Sequence, residues 1–345
     1  MTMWIHMLET FVVTALVSYL ITPFLRKVAF RIGYLDHPLD TKSHAHPTAL
    51  LGGVGIYFAF VIGLLTNINI GQDFRVVGLI IGSTILLIVG LIDDRMGMMP
   101  EVKLLGQFLA AMVVIKSGVR IDFLNNYYLD LIVTYLWIVG ITNSFNLLDN
   151  MNGLSSGIAA IASIFFGFVM GMSSQFHVAI IAFALAGASV GFLKHNFPRA
   201  SIFMGDTGSL VIGFVMATVA VMGSWSTRFL TTSLAMPIII LAYPIFDTSL
   251  VTILRMREGR SIFQGGKDHS SHRLALLGLK KKRAVLLIYS ICMMLGISAL
   301  VIQRVSLRAA MVIMALDVIF MVIFGIRLGT VKSGRFGRKK KTDGI

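Results

Sequence analysis

An all-α integral membrane bundle of about eleven transmembrane helices is the fold class this sequence predicts, on three observations. Of 345 residues, 56% are apolar and only 13% charged, whereas a soluble globular chain carries about 25% charged residues. The apolar residues gather into runs long enough to approach the ~20 residues a bilayer demands of a helix. Finally, Lys and Arg are confined almost entirely to alternate loops, the asymmetry that orients membrane proteins.

The runs fall at 8–26, 49–67, 76–93, 104–117, 129–143, 153–172, 177–194, 208–224, 231–254, 284–303 and 307–327, each bounded by polar, Gly, Pro or Asn clusters. The fourth is the shortest and reads as a tilted or partial span. The opening Met1-Thr2-Met3-Trp4 has no basic lead-in or small-residue cleavage site, so the first run is expected to be a retained span. With the N-terminus outside, the alternate loops assigned to the cytoplasm hold 24 of the 30 Lys and Arg. The C-terminus is then inside, and the chain reads as one membrane domain, 1–330, followed by a basic tail, 331–345. The net charge of +14 is explained by this cytoplasmic face and by anionic lipid, without nucleic acid. Cys292 is the sole cysteine, which rules out an intrachain disulfide and a cysteine-built metal site.

Six of the eight histidines and most of the grouped acidic residues fall on that same side. Topology calls for Lys and Arg there, not for Asp pairs and His. The first polar cluster is Asp93-Asp94-Arg95 at the inner end of the third run. Adjacent carboxylates repel unless a cation or proton is shared, although a solvated helix end with Arg95 as counter-ion would also account for them. In the second, Asn143, Asn146 and Asp149 recur every third residue, so one helical face presents carboxamides and a carboxylate. The third, Met204-Gly205-Asp206-Thr207-Gly208-Ser209, sets an Asp at a Gly-rich helix start, where free N–H groups favour an anion. Such an Asp is a natural Mg²⁺ ligand, since Mg²⁺ takes one or two carboxylates with substrate oxygens and water. A fourth, basic stretch carries Arg255, Arg257, His269 and His272; its cations can grip phosphate oxygens. A fifth runs from Asp36 through Lys42 to Gly52-Gly53-Val54-Gly55, whose glycines are expected to serve helix packing. Together these groups suit a Mg²⁺-bridged diphosphate meeting a second anionic substrate. A carrier for an anionic lipid or sugar is the alternative from another class, but the polar clusters lie at span ends on one side rather than at a midplane site.

At these residues the sequence closely resembles the polyprenyl-phosphate N-acetylhexosamine-1-phosphate transferases over approximately 30–280. The resemblance implies attack of undecaprenyl phosphate on the β-phosphorus of a UDP-N-acetylhexosamine, releasing UMP. N-acetylglucosamine 1-phosphate is the expected group, and phospho-N-acetylmuramoyl-pentapeptide the alternative. It implies Mg²⁺, with Mn²⁺ as a substitute, a bacterial cytoplasmic membrane location and room for a homodimer. Asp93 and Asp94 match the family's paired aspartates, and Asn143, Asn146 and Asp149 its Asn-x-x-Asn-x-x-Asp motif. Asp206 matches the metal aspartate, Lys42 and Asn196 fit substrate-binding positions, and His269 and His272 resemble the ends of its His-rich motif. Asp93, Asp94 and Asp149 are the catalytic candidates. Asp206, with Asp94 or Asn146, is the expected metal set; Lys42, Asn143, Asn146, Asn196, Arg255, Arg257, His269 and His272 are the expected substrate contacts. Asp93 is expected to act as a base or as the partner of Lys42. Two departures stand out. Where many bacterial members read Asp-Gly-Leu-Asp-Gly, this chain has Asp149-Asn150-Met151-Asn152-Gly153, and the central histidine of the His-rich motif is Ser271.

Overall fold

The computed structural model describes residues 2–37, 46–67, 73–223, 230–261, 266 and 268–331. Its helices are α1 (Thr2–Ile32), α2 (Gly52–Asn67), α3 (Phe74–Met96), α4 (Pro100–Lys116), α5 (Tyr127–Leu148), α6 (Leu154–Met172), α7 (Phe176–Asn196), α8 (Gly205–Met222), α9 (Leu230–Ile240), α10 (Ala242–Arg257), α11 (Ser270–Leu276), α12 (Lys281–Ile302) and α13 (Leu307–Gly329). Two short strands, β1 (Leu35–Asp36) and β2 (Thr48–Ala49), pair antiparallel.

Eight of these helices, α1, α3, α5, α6, α7, α8, α12 and α13, are long and apolar enough to cross a membrane. The protein is therefore an all-helical, multi-pass membrane protein. The other three apolar runs take shorter forms. The second lies in α2, of 16 residues, and the fourth in α4, of 17. The ninth is broken at Leu241 into α9 and α10. Pro237 lies inside α9, and Pro244 in the first turn of α10 has no N–H to continue the ladder, which is how proline ends one helical segment and starts another. Lys42 and the tail beyond 331 lie outside the described residues.

The bundle is organised around α8. Its apolar window is 83% buried, against 17% for the peripheral α13, and α2, α3, α5, α6 and α7 all pack on it. Small residues permit this crowding. Gly53 and Gly208 bring α2 and α8 so close that a Cβ on Gly53 would lie 2.2 Å from the Gly208 nitrogen. On the other side, a Cβ on Gly90 of α3 would lie 2.4 Å from the Thr207 Cα. That neighbour is backbone, which no rotamer change can relieve. Gly90→Ala is accordingly expected to pry α3 from the start of α8, destabilising the protein by about 1–3 kcal/mol, seen as a lower unfolding temperature in detergent together with loss of activity.

Backbone pairing fixes a second edge. Ile202 bridges Ala49, Phe203 N–H donates to the Ala49 carbonyl at 2.8 Å, and Gly52 and Gly53 N–H donate to the carbonyls of Phe203 and Met204, both at 3.0 Å. The approach to α2 is thereby stitched to the approach to α8, and both end beside Gly205 and Asp206.

Candidate active site

The site forms where the C-terminal end of α3, the N-terminal turn of α4, the C-terminal end of α5 and the N-terminus of α8 converge. Gly97, at φ +69, stops α3 by returning its N–H to the Asp93 carbonyl, which leaves Asp93 and Asp94 in the last helical turn. They diverge there, as neighbours on a helix must, since each residue turns about 100°. Asp94 reaches α8: Oδ1 accepts the Asp206 N–H at 2.7 Å, and Oδ2 accepts the Thr207 N–H at 3.1 Å and the Thr207 hydroxyl at 2.6 Å. These N–H groups are among those a helix start leaves without intrahelical partners, and a carboxylate there also complements the helix dipole. Gly205 makes the approach possible. Its φ is +68, and a Cβ on it would lie 2.3 Å from Asp94 Oδ2. Both oxygens of Asp94, expected as metal ligand and catalytic group, are thus engaged in setting the backbone of Asp206.

Asp93 faces the cation instead. Its Oδ1 accepts the Met98 N–H at 2.7 Å, while Oδ2 forms an ion pair with Lys103 of α4. Lys103 contacts Asp206 Oδ2 in the same way, so one ammonium sits between two carboxylates from different helices. The remaining oxygen of Asp206 accepts from the Asn146 amide at 2.7 Å, and that amide also donates to the Ser209 hydroxyl at 2.9 Å. One turn earlier on α5, Asn143 exchanges hydrogen bonds with Gln107, at 2.6 and 3.1 Å. Lys103 and Gln107 are site residues that sequence reasoning missed. Their spacing of four on α4 was a usable signal, but Lys103 was counted among the loop charges that orient the protein.

Asp149 closes α5 through its backbone N–H to the Asn146 carbonyl, at 3.2 Å. Its side chain makes no hydrogen bond among the described residues. Burial, followed by the negative charges of Asp206 and Asp94, pushes its carboxyl up to about 8. Asn196 has a different occupation from the expected substrate contact. It is buried, accepts the Gly153 N–H at 2.6 Å and donates to the Ile202 carbonyl at 2.9 Å. It thereby joins the loop after Asp149 to the segment before Asp206. Asn196→Ala should strip partners from two buried backbone groups and lower stability by about 1–3 kcal/mol; thermal unfolding should register this more strongly than the Michaelis constant for either substrate.

The basic stretch forms a second group beside the first. Arg255, expected to hold phosphate, is 2% exposed and spends Nε and one terminal nitrogen on Asp268, both at 3.0 Å. Burial opposes the charge on Asp268, but the Arg255 guanidinium, aided by Arg260, holds its carboxyl down to about 2. Arg273, also buried, donates to the Asp268 carbonyl and to the carbonyls of Leu328 and Val331, capping the end of α13. Arg257 is exposed and lines an apolar groove of about 730 Å³ between α9, α10 and α13; it is not drawn into the carboxylate cluster. His269 is held through Nδ1 by Asp247 at 2.7 Å. His272, half-buried on α11, follows it by three residues. Ser271 donates to Asn150 Oδ1 at 2.7 Å, while Asn152, which stands where many family members have a second aspartate, turns to the Pro198 carbonyl at 3.4 Å. The Ser271–Asn150 bond ties the histidine segment to the loop carrying Asp149.

Asp93 and Asp206 direct one oxygen each to a single cation position, and Asn146 adds a carboxamide beside it. Among the described residues no three or more His, Cys, Asp or Glu side chains are placed to hold one ion between them. A zinc cage is not built here, whereas two carboxylates beside a carboxamide are a donor set that fits what Mg²⁺ asks of a protein.

Residues 76–224, which carry this cluster, match the family model described as glycosyl transferase family 4. The chain is 32% identical over 336 residues, 95% of its own length and 93% of the other, to a probable undecaprenyl-phosphate N-acetylglucosaminyl 1-phosphate transferase of Bacillus subtilis. It is 30% identical to a decaprenyl-phosphate N-acetylglucosaminephosphotransferase of Mycolicibacterium smegmatis, over 80% of this chain and 77% of that one. A phospho-N-acetylmuramoyl-pentapeptide-transferase of Bacillus cytotoxicus is 28% identical, over 83% and 93%. With one such relative matched over 95% of this chain and another over 80%, and with the paired aspartates, the Asn-x-x-Asn-x-x-Asp turn and Asp206 assembled at one point, the chain belongs to the polyprenyl-phosphate N-acetylhexosamine-1-phosphate transferases, a family of membrane phosphotransferases.

Proposed function

We propose that the enzyme transfers N-acetylglucosamine 1-phosphate from its UDP derivative to undecaprenyl phosphate, releasing UMP. The observation that carries this reading is the convergence of Asp93 and Asp206 on one cation position beside the start of a buried helix. The names of the Bacillus and mycobacterial relatives support the choice of sugar and of a polyprenyl acceptor. Eleven crossings, with the N-terminus outside and the site on the cytoplasmic face of a bacterial membrane, are the topology we assign. It is supported by the 24 of 30 Lys and Arg that this arrangement places on one side.

In the reaction an oxygen of the lipid phosphate forms a bond to the β-phosphorus, the bond from that phosphorus to the bridging oxygen breaks, and UMP departs. Bound Mg²⁺ supplies charge neutralisation for the diphosphate and in-line alignment. Asp206 and Asp93 would hold it, with Asn146 steadying Asp206 and Asp94 fixing the backbone from which Asp206 projects. Lys103 contributes a compact positive charge on a flexible stem, able to move from the carboxylates to a phosphate oxygen. No strong base is required of Asp93, because a phosphate monoester with a second pKa near 6 is already largely dianionic at neutral pH.

The test is UMP release by purified protein given undecaprenyl phosphate, Mg²⁺ and a panel of UDP-sugars, with omission of the lipid and addition of a chelator as controls. Release from UDP-N-acetylglucosamine that requires both lipid and Mg²⁺ is expected. Release from the N-acetylmuramoyl-pentapeptide donor alone would reassign the sugar, and no release from any donor would overturn the reading.

A further inference from the structure

Asp247 of α10 is fully buried and is the one acidic residue of that helix. An ionisable side chain in such a place is costly and is ordinarily kept for a specific partner. Its partners all come from one short segment 22 and 23 residues later. Oδ2 receives His269 Nδ1 at 2.7 Å, while Oδ1 accepts both the Ser270 N–H, at 2.7 Å, and the Ser270 hydroxyl, at 2.5 Å. Tyr243, one turn earlier on α10 and also buried, shares a 2.6 Å hydrogen bond with the same hydroxyl. A carboxylate only accepts. The ring proton facing Asp247 therefore sits on Nδ1, and Nε2 is the end of His269 left over, with no partner among the described residues. Two residues on, Ser271 is bonded to Asn150, the neighbour of Asp149. The histidine thus stands at the edge of the reaction site with one nitrogen anchored.

We propose that Asp247 is a positioning residue for the transfer reaction. It fixes the tautomer and orientation of His269 so that Nε2 is presented to the sugar diphosphate donor. The inference rests on the proposed function for the identity of the donor, but not for the hydrogen-bond arrangement itself. It is the logic by which a carboxylate behind a functional imidazole sets which nitrogen works, a contact whose loss usually costs about 10–100-fold.

The Asp247→Asn substitution makes a definite demand on the ring. Ser270 N–H donates to Oδ1 whatever the side chain, so the amide oxygen must occupy that position and the NH₂ must face His269. Nδ1 then has to accept, and the proton moves to Nε2. With the full-length protein labelled with ¹⁵N-histidine in nanodiscs, and His269 assigned by its disappearance in His269→Gln, the wild type should show protonated Nδ1 and Asp247→Asn the inverted tautomer. In turnover, Asp247→Asn should lower kcat/KM for the UDP-sugar about 10–100-fold while leaving KM for the lipid within about twofold. In a His269→Ala background the same substitution should change kcat/KM by less than about twofold, because its effect passes through the ring.

A wild-type ring protonated only at Nε2 would overturn the proposal without any variant, which keeps it testable should Asp247→Asn fail to fold. Additive losses in the double variant would also overturn it and leave Asp247 a packing role. If the wild type itself released no UMP, the proposed function would fail while the NMR measurement still read the Asp247–His269 contact.

Discussion

Asp206→Asn is expected to slow transfer on the order of 10³-fold, the scale on which removal of one preorganised electrostatic group is felt, with little change in the unfolding temperature. The carboxylate serves three neighbours at once: Asn146 through Oδ1, Lys103 through Oδ2, and through Lys103 the facing Asp93. An amide preserves the shape and can still accept from Asn146, so the helix start stays in place, held from behind by Asp94. What disappears is the negative charge that makes the position a cation site. Initial rates of UMP release at saturating Mg²⁺, with unfolding followed in parallel, decide the matter; a rate within tenfold of wild type would remove Asp206 from the metal set.

Lys103→Met produces the second large effect and separates its two roles. The ammonium is the cation that lets Asp93 and Asp206 approach each other, with side-chain exposures of 8% and 33%. Without it two like charges face one another, a situation that proteins tolerate only by taking up a proton or a cation. In chelator the variant should be less stable by between about 1 and 3 kcal/mol, below the full cost of breaking a deeply buried pair because Asp206 is partly open. Added Mg²⁺ should raise its unfolding temperature more than it raises that of the wild type, since the metal no longer competes with an ammonium. Activity should fall about 10²-fold even with Mg²⁺ restored, through loss of a cation able to follow the diphosphate. Equal Mg²⁺ responses in the two proteins would show that the carboxylates do not form the cation site.

The parts of this site legible in the sequence were those where polar residues interrupt an apolar run. Asp93 and Asp94 close one such run, Asn143, Asn146 and Asp149 keep a helical beat, and Asp206 opens another run, so each announced itself against a hydrophobic background. Partnership was not legible. Lys103 lay within the charge tally that orients the chain, and nothing local paired it with carboxylates on α3 and α8. Arg255 looked like a phosphate ligand among exposed cations, until Asp268, thirteen residues on, took its guanidinium. Asp247 stood alone in a hydrophobic stretch because its partners lie beyond a helix end. The membrane fold was visible through composition and run length; the break at Leu241 needed the geometry of Pro244, not its presence.

The start of α8 is finished by a carboxylate that lies 112 residues upstream. During synthesis the third helix is therefore inserted long before the peptide groups it will complete exist, and its two aspartates wait at the membrane edge without Asp206 to share a cation. Only arrival of the eighth helix joins the halves. A chain arrested before that point carries the recognisable aspartate pair without the backbone groups that Asp94 completes, which makes insertion of α8 the step at which the two halves of the carboxylate cluster meet.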